Sequence, residues 1–217
     1  MTVVPAQVVD WGWVGDHLDD VRSYGWEHIQ LVGLPILLGF VISFALALAA
    51  LRWPQLYSPF LGFAGFLFTI PSIALFILLI PFTGIGILTP LIPLTIYTLL
   101  ILFRNTVEGL SGVAPDVRDA ARAMGMSRWR QLFTVEVPLA LPVIIAGVRI
   151  AAVTSIGLVT VSAVIGWGGF GQFFLTGFRR DFNTPVLLGL VCSVGLSVVI
   201  DLALIALQRA ITPWNRA

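Results

Sequence analysis

An all-α integral membrane fold of about five transmembrane helices is what this sequence predicts. Of its 217 residues 58% are hydrophobic, only 11% are charged, and mean hydropathy is +0.99. A soluble domain carries roughly 25% charged residues, so most of this chain must be solvated by lipid. A net charge of +1 offers nothing to nucleic acid. The single cysteine, Cys192, lies in an apolar run and excludes an intrachain disulfide or a cysteine-based metal cluster. All 12 basic residues are arginine.

A spanning helix needs about 20 apolar residues at about 1.5 Å rise each. Five segments qualify: 31–51, 60–80, 85–103, 139–165 and 185–207. The third is crowded at its start by Pro81, Gly84, Gly86, Pro90 and Pro93. Such breakers are tolerated at membrane depth where neighbouring helices or a wet path satisfy the freed backbone groups. The fourth run exceeds one span, so its end is expected to bend into the next loop. Residues 1–10 carry no Arg or Lys, unlike the start of a cleavable signal peptide, and the first apolar helix reads as a retained signal anchor.

Arginine placement sets the orientation. The loop 104–136 holds Arg104, Arg118, Arg122, Arg128 and Arg130, and Arg52, Arg209 and Arg216 fall on its side. Arg22, Arg179 and Arg180 fall opposite, with the acidic N-terminal segment. The expectation is an extracytoplasmic segment 1–26, a transmembrane unit 27–208 with the loop in the cytoplasm, and a cytoplasmic tail 209–217. Small residues at four-residue spacing let helices approach closely in lipid. Gly147, Ala151 and Ser155 form one such stripe, and Gly189, Ser193 and Ser197 another.

The most informative stretch is 115–142, PDVRDAARAMGMSRWRQLFTVEVPLALP. Pro115 suits a first helical turn, and Asp116 and Asp119 favour its positive end. Val117, Ala120, Ala121 and Met124 share one helical face. Gly125 permits the left-handed turn that ends a helix, and Ser127 can cap a second one bearing Trp129, Leu132 and Phe133. Two short helices meeting at a glycine corner, with small exposed residues and an arginine rim (Arg128 among them), suit docking into another protein's groove. Amphipathic helices also lie on membrane surfaces, but alanine and valine insert poorly into lipid.

Asp119-Ala120-Ala121, three residues, Gly125, nine residues, then Val135-Glu136-Val137-Pro138 resembles the EAA loop of ABC importer permeases. The chain departs from the usual pattern by Asp for Glu, Val for Ile and Val for Leu. The resemblance implies a type I ABC importer permease fold in the bacterial cytoplasmic membrane, with this loop as the coupling helix. It implies as partners two copies of an ATP-binding subunit, a second permease subunit (homo- or heterodimer) and an extracytoplasmic solute-binding protein, besides membrane lipid. No solute-binding domain is expected here, since the chain ends ten residues past the last span. No cofactor is expected in the chain either. It contains no G-x-x-x-x-G-K-[ST] phosphate loop, so ATP and Mg belong to the partner.

Ile70-Pro71-Ser72-Ile73-Ala74-Leu75, Ile80-Pro81, Thr83-Gly84-Ile85-Gly86, Arg104-Asn105-Thr106 with Glu108-Gly109-Leu110, and Ile165-Gly166-Trp167-Gly168-Gly169-Phe170-Gly171 resemble permeases for osmoprotectants: glycine betaine, choline, carnitine and proline-type compounds. The glycine-rich segment is similar in methionine-type importers, which keeps that alternative open. Quaternary ammonium is usually held by aromatic cages, but most of the seven tryptophans fall near span ends, where aromatic belts are expected. The expected translocation path or gate comprises Pro71, Ser72, Arg149, Asp201, Trp167, Gly168 and Gly169. Arg149 and Asp201 are charges within spans, which pair with each other or line the inward vestibule, or else snorkel and cap.

A membrane enzyme needs activated nucleophiles or metal ligands. The only histidines, His17 and His28, fall in the outer N-terminal region, where they read as incidental, and no catalytic or metal residue is expected. A secondary transporter would often show two related halves, and no such repeat is visible.

Overall fold

The computed structural model describes residues 9–215. The charge pattern of residues 1–8 and Arg216 in the arginine count lie outside them. Among the described residues the chain is helical without strands: α1 (Trp11–Asp16), α2 (Leu18–Arg52), α3 (Tyr57–Thr69), α4 (Ser72–Thr83), α5 (Leu88–Ser111), α6 (Pro115–Ala123), α7 (Arg128–Gln131), α8 (Val137–Ser162), α9 (Gly171–Arg180) and α10 (Asn183–Ile211).

Four stretches are long and apolar enough to cross a membrane, and α3 with α4 makes a fifth when the bent pair is taken as one span. Helix α2 has 35 residues, about 52 Å at 1.5 Å per residue, against a hydrocarbon core of about 30 Å. Its first turns therefore project beyond the bilayer, carrying Asp19 and Asp20. It packs along α5 through Pro35, Gly39, Ser43 and Ala47, all buried and four residues apart. A Cβ on Gly39 would overlap the Thr98 hydroxyl, so the close approach requires glycine there. Ser43 Oγ donates to the Leu99 carbonyl at 3.3 Å. On α8, Gly147, Ala151 and Ser155 are likewise buried, and a Cβ on Gly147 would meet Asn105 of α5 at 2.5 Å. Leu31, Val32, Phe76, Leu94, Ile156 and Val159 knit α2, α4, α5 and α8 into the main core.

The segment 60–80 does not continue as one straight span. The chain turns by 93° between α3 and α4, with Ile70 and Pro71 extended at ψ 128°. Pro71 has no N–H to continue the ladder. Tyr97 of α5 donates its hydroxyl to the Ile70 carbonyl at 2.7 Å, satisfying a group that lipid could not.

Helix α5 continues to Ser111, so the loop after the third span begins as helix. Helix α7 is also not a separate short helix. Arg128–Ile165 runs as one 38-residue rod, through a π-helical turn at Leu132–Glu136. The wider turn falls where Pro138 cannot donate back to the preceding turn, and such turns absorb that mismatch without breaking the rod.

Candidate coupling and translocation sites

The corner between α6 and α7 is built from local signals. Pro115 opens α6, and at its end Met126 N donates to Ala121 O while Gly125 N donates to Arg122 O. That pair of bonds is the Schellman arrangement, with Gly125 at φ +75°. Ser127 Oγ accepts from Arg130 N at 3.4 Å and caps α7. Glu136 fastens the corner from behind. It accepts from Gln131 Nε2 at 2.8 Å and lies 3.5 Å from Arg118 Nε, an ion pair without hydrogen-bond geometry. Arg118 also donates through Nη2 to the Leu110 carbonyl, anchoring α6 to the end of α5.

Of the face Val117, Ala120, Ala121 and Met124, only Ala121 is buried, at 1% exposure. Ala120, Val117, Met124, Trp129 and Phe133 are exposed, and Trp129 stacks on Phe133 with ring centroids 6.2 Å apart. Asp119 and Arg122 form an exposed ion pair at 3.2 Å beside them, and Arg128 is exposed at the start of α7. The corner therefore presents small and apolar groups within a charged rim.

At the opposite end of α8 the glycine-rich turn is closed by its own chain. Glu27 Oε1 accepts from Gly168 N at 2.7 Å and from Gly169 N at 2.8 Å, and His28 Nδ1 accepts from Phe170 N at 3.3 Å. A Cβ on Gly168 would lie 2.2 Å from Ala163 N, and one on Gly169 would lie 2.6 Å from His28 Cβ. Trp167 packs half-buried against the main core. His28 is fully buried and not a surface residue, because α2 starts early enough to carry it under this turn. Its Nε2 is buried without a hydrogen-bond partner among the described residues. Glu27, His28, Tyr97 and Glu136 were not singled out from the sequence. Nothing local marks the first three, and Glu136 stands out only as the charge inside Val-Glu-Val-Pro.

Arg149 and Asp201 meet. Nε lies 2.7 Å from Oδ1 and Nη2 lies 3.0 Å from Oδ2, a two-pronged bridge from α8 to α10. About a third of each side chain is exposed, in a groove of about 400 Å³ that Ala146, Ile150, Val153 and Thr154 also line. Pro71 is exposed and Ser72 half-buried at the α3–α4 bend. The bend, the glycine turn and the ion pair are built by different elements: α3 with α4, the turn after α8 closed by α2, and α8 with α10. Among the described residues no group of three potential ligands could hold a metal.

A family model described as the inner membrane component of binding-protein-dependent transport systems matches residues 37–213. The chain belongs to this family. As one of its permeases it is a multi-pass inner-membrane subunit, not an enzyme, and it works with a separate ATP-binding subunit and a solute-binding protein. Among its relatives, the osmoprotectant import permease protein OsmW of Salmonella typhimurium is 38% identical over 203 residues, 91% of this chain and 94% of that protein. The carnitine transport permease protein OpuCB of Listeria monocytogenes is 34% identical over 188 residues, 87% of this chain and 86% of that one. The glycine betaine/carnitine/choline permease OpuCB of Bacillus subtilis is 31% identical, covering 86% of each. The permease fold is also that of a chain in the inward-facing MetNI methionine ABC transporter, with a TM-score of 0.80 at 24% identity, covering 91% of this chain and 98% of that one.

Proposed function

We propose that this permease imports quaternary-amine osmoprotectants such as glycine betaine, choline and carnitine. The observation that carries the reading is the 38% identity, over nearly the whole chain, to an osmoprotectant import permease. The N-terminus lies outside and the C-terminus in the cytoplasm, a reading supported by the arginine distribution. Two ATP-binding subunits serve two permease copies, alike or different, and ATP with its Mg is held on the partner. Asp119, Ala120, Met124, Gly125, Arg128 and Trp129 form the coupling surface, with Ala121 buried beneath it as part of the corner's own packing. An ATP-driven movement there is transmitted along the unbroken rod Arg128–Ile165 toward the outer turn. Pro71, Ser72, Arg149, Asp201, Trp167, Gly168 and Gly169 belong to the path or its gates.

A methionine importer is the second reading, kept open by the glycine-rich segment 165–171, which resembles that group as well. Vesicles reconstituted with the permease, its ATP-binding subunit and its binding protein, without an ion gradient, separate the two. ATP-dependent uptake of labelled glycine betaine or choline, and not of methionine, is expected. Methionine uptake alone would reject the osmoprotectant assignment.

A further inference from the structure

The Arg149–Asp201 bridge holds two charges where charge is costly. Arg149 lies 12 residues beyond the first residue of α8, about 18 Å along the rod, inside the hydrocarbon depth. Charges at that depth face a bundle interior, a partner or a wet path, and not lipid. Yet the pair is about one third exposed, and only 6% of the apolar stretch of α10 is buried. The groove beside it is lined by Ala146, Ile150 and Val153, with the Thr154 hydroxyl as its other polar group. The groove is open along one side, and its volume of about 400 Å³ admits a small solute beside a few polar groups on an apolar wall.

We propose that this pair is a transient solute site working by partner exchange, selective for zwitterions that carry a carboxylate and a quaternary ammonium. The solute carboxylate takes the place of Asp201 on the flat guanidinium fork of Arg149, which binds carboxylates by two parallel hydrogen bonds. The quaternary ammonium, having no proton to donate, faces Asp201 by charge alone, with its methyl groups against Ile150 and Val153. Every charge keeps an opposite partner throughout. The exchange therefore avoids the large cost of stranding one ion in a low-dielectric surrounding. A solute with either charge alone would strand one member of the pair. When the solute leaves, the bridge re-forms and closes the position. This inference rests on the osmoprotectant reading.

The test measures glycine betaine and choline uptake in the same reconstituted vesicles, per assembled complex, for the wild type and for Arg149→Gln. The variant should lose glycine betaine uptake by about tenfold, a difference of about 1.4 kcal/mol, while choline, which has no carboxylate, falls much less. Equal proportional losses would reduce the pair to a fastener between α8 and α10 and overturn the inference. Wild-type uptake of choline without glycine betaine would overturn it as well. Uptake of neither by the wild type would instead strike the osmoprotectant reading. If Arg149→Gln fails to assemble, or only glycine betaine is carried, a second measurement decides with the pair intact. Ala146→Cys in a Cys192→Ser background is reacted with a thiol reagent in the full complex. Slower labelling in glycine betaine supports the exchange site, and an unchanged rate overturns it.

Discussion

The two glycine corners at opposite ends of the Arg128–Ile165 rod solve the same backbone problem and leave opposite surfaces. At the Gly168–Phe170 corner the backbone donors of Gly168, Gly169 and Phe170 are taken up by Glu27 and His28 from a helix more than 140 residues away in sequence. Gly168 to Phe170 are buried, with no room for a Cβ at Gly168. At the Gly125 corner the bonds that end α6 are all local, Gly125 stands in open space, and Met124 and Trp129 are about two-thirds exposed. A corner satisfied by its own fold offers few groups to a partner. One satisfied only in its backbone, with apolar side chains outward, has the surface that the proposed coupling role requires.

Substitutions can break that contrast, the largest effect first. Gly168→Val places a branched side chain against the Ala163 backbone and should cost about 3 kcal/mol or more, so that little folded protein is recovered. Recovery of a normally stable protein would mean that the Gly168–Phe170 turn is looser than described. Ala120→Arg should leave the fold intact and weaken association with the ATP-binding subunit about tenfold in a pull-down titration. Ala121→Arg, buried under the corner, should instead lower thermal stability. Equal behaviour of the two alanines would contradict the assigned faces. Glu27→Ala strands two backbone donors and should destabilise by about 2 kcal/mol, read as a lower melting temperature in detergent, without weakening attachment of the ATP-binding subunit. Gly125→Ala, strained by its positive φ but unhindered, should cost only about 1 kcal/mol.

How much of this was legible in the sequence follows from the range of the interactions. The corner between α6 and α7 could be read residue by residue because Pro115, Gly125 and Ser127 act within one or two turns of themselves. The Arg149–Asp201 pair could be nominated because charges inside the spans are few, although its geometry and the choice between pairing and snorkelling could not. The bend at Ile70–Pro71 depends on Tyr97, 27 residues on, so an apolar run with one proline reads equally well as a straight span. The π-helical turn that joins α7 to the fourth span is marked only by Pro138, and a proline there reads equally well as the start of a new helix. The clamp from Glu27 and His28 was illegible for the strongest reason. Glu27, in the third turn of α2 and close behind Asp19 and Asp20, looks solvated until the fold brings a glycine turn over it.

The claim that force enters through the exposed corner meets its most direct test in single-cysteine protection, with Cys192→Ser as background. Ala120→Cys and Trp11→Cys place exposed thiols at the Gly125 corner and in helix α1. Adding the ATP-binding subunit should slow modification at position 120 severalfold and leave position 11 unchanged. A modification rate at position 120 that does not respond to the ATP-binding subunit would contradict the account.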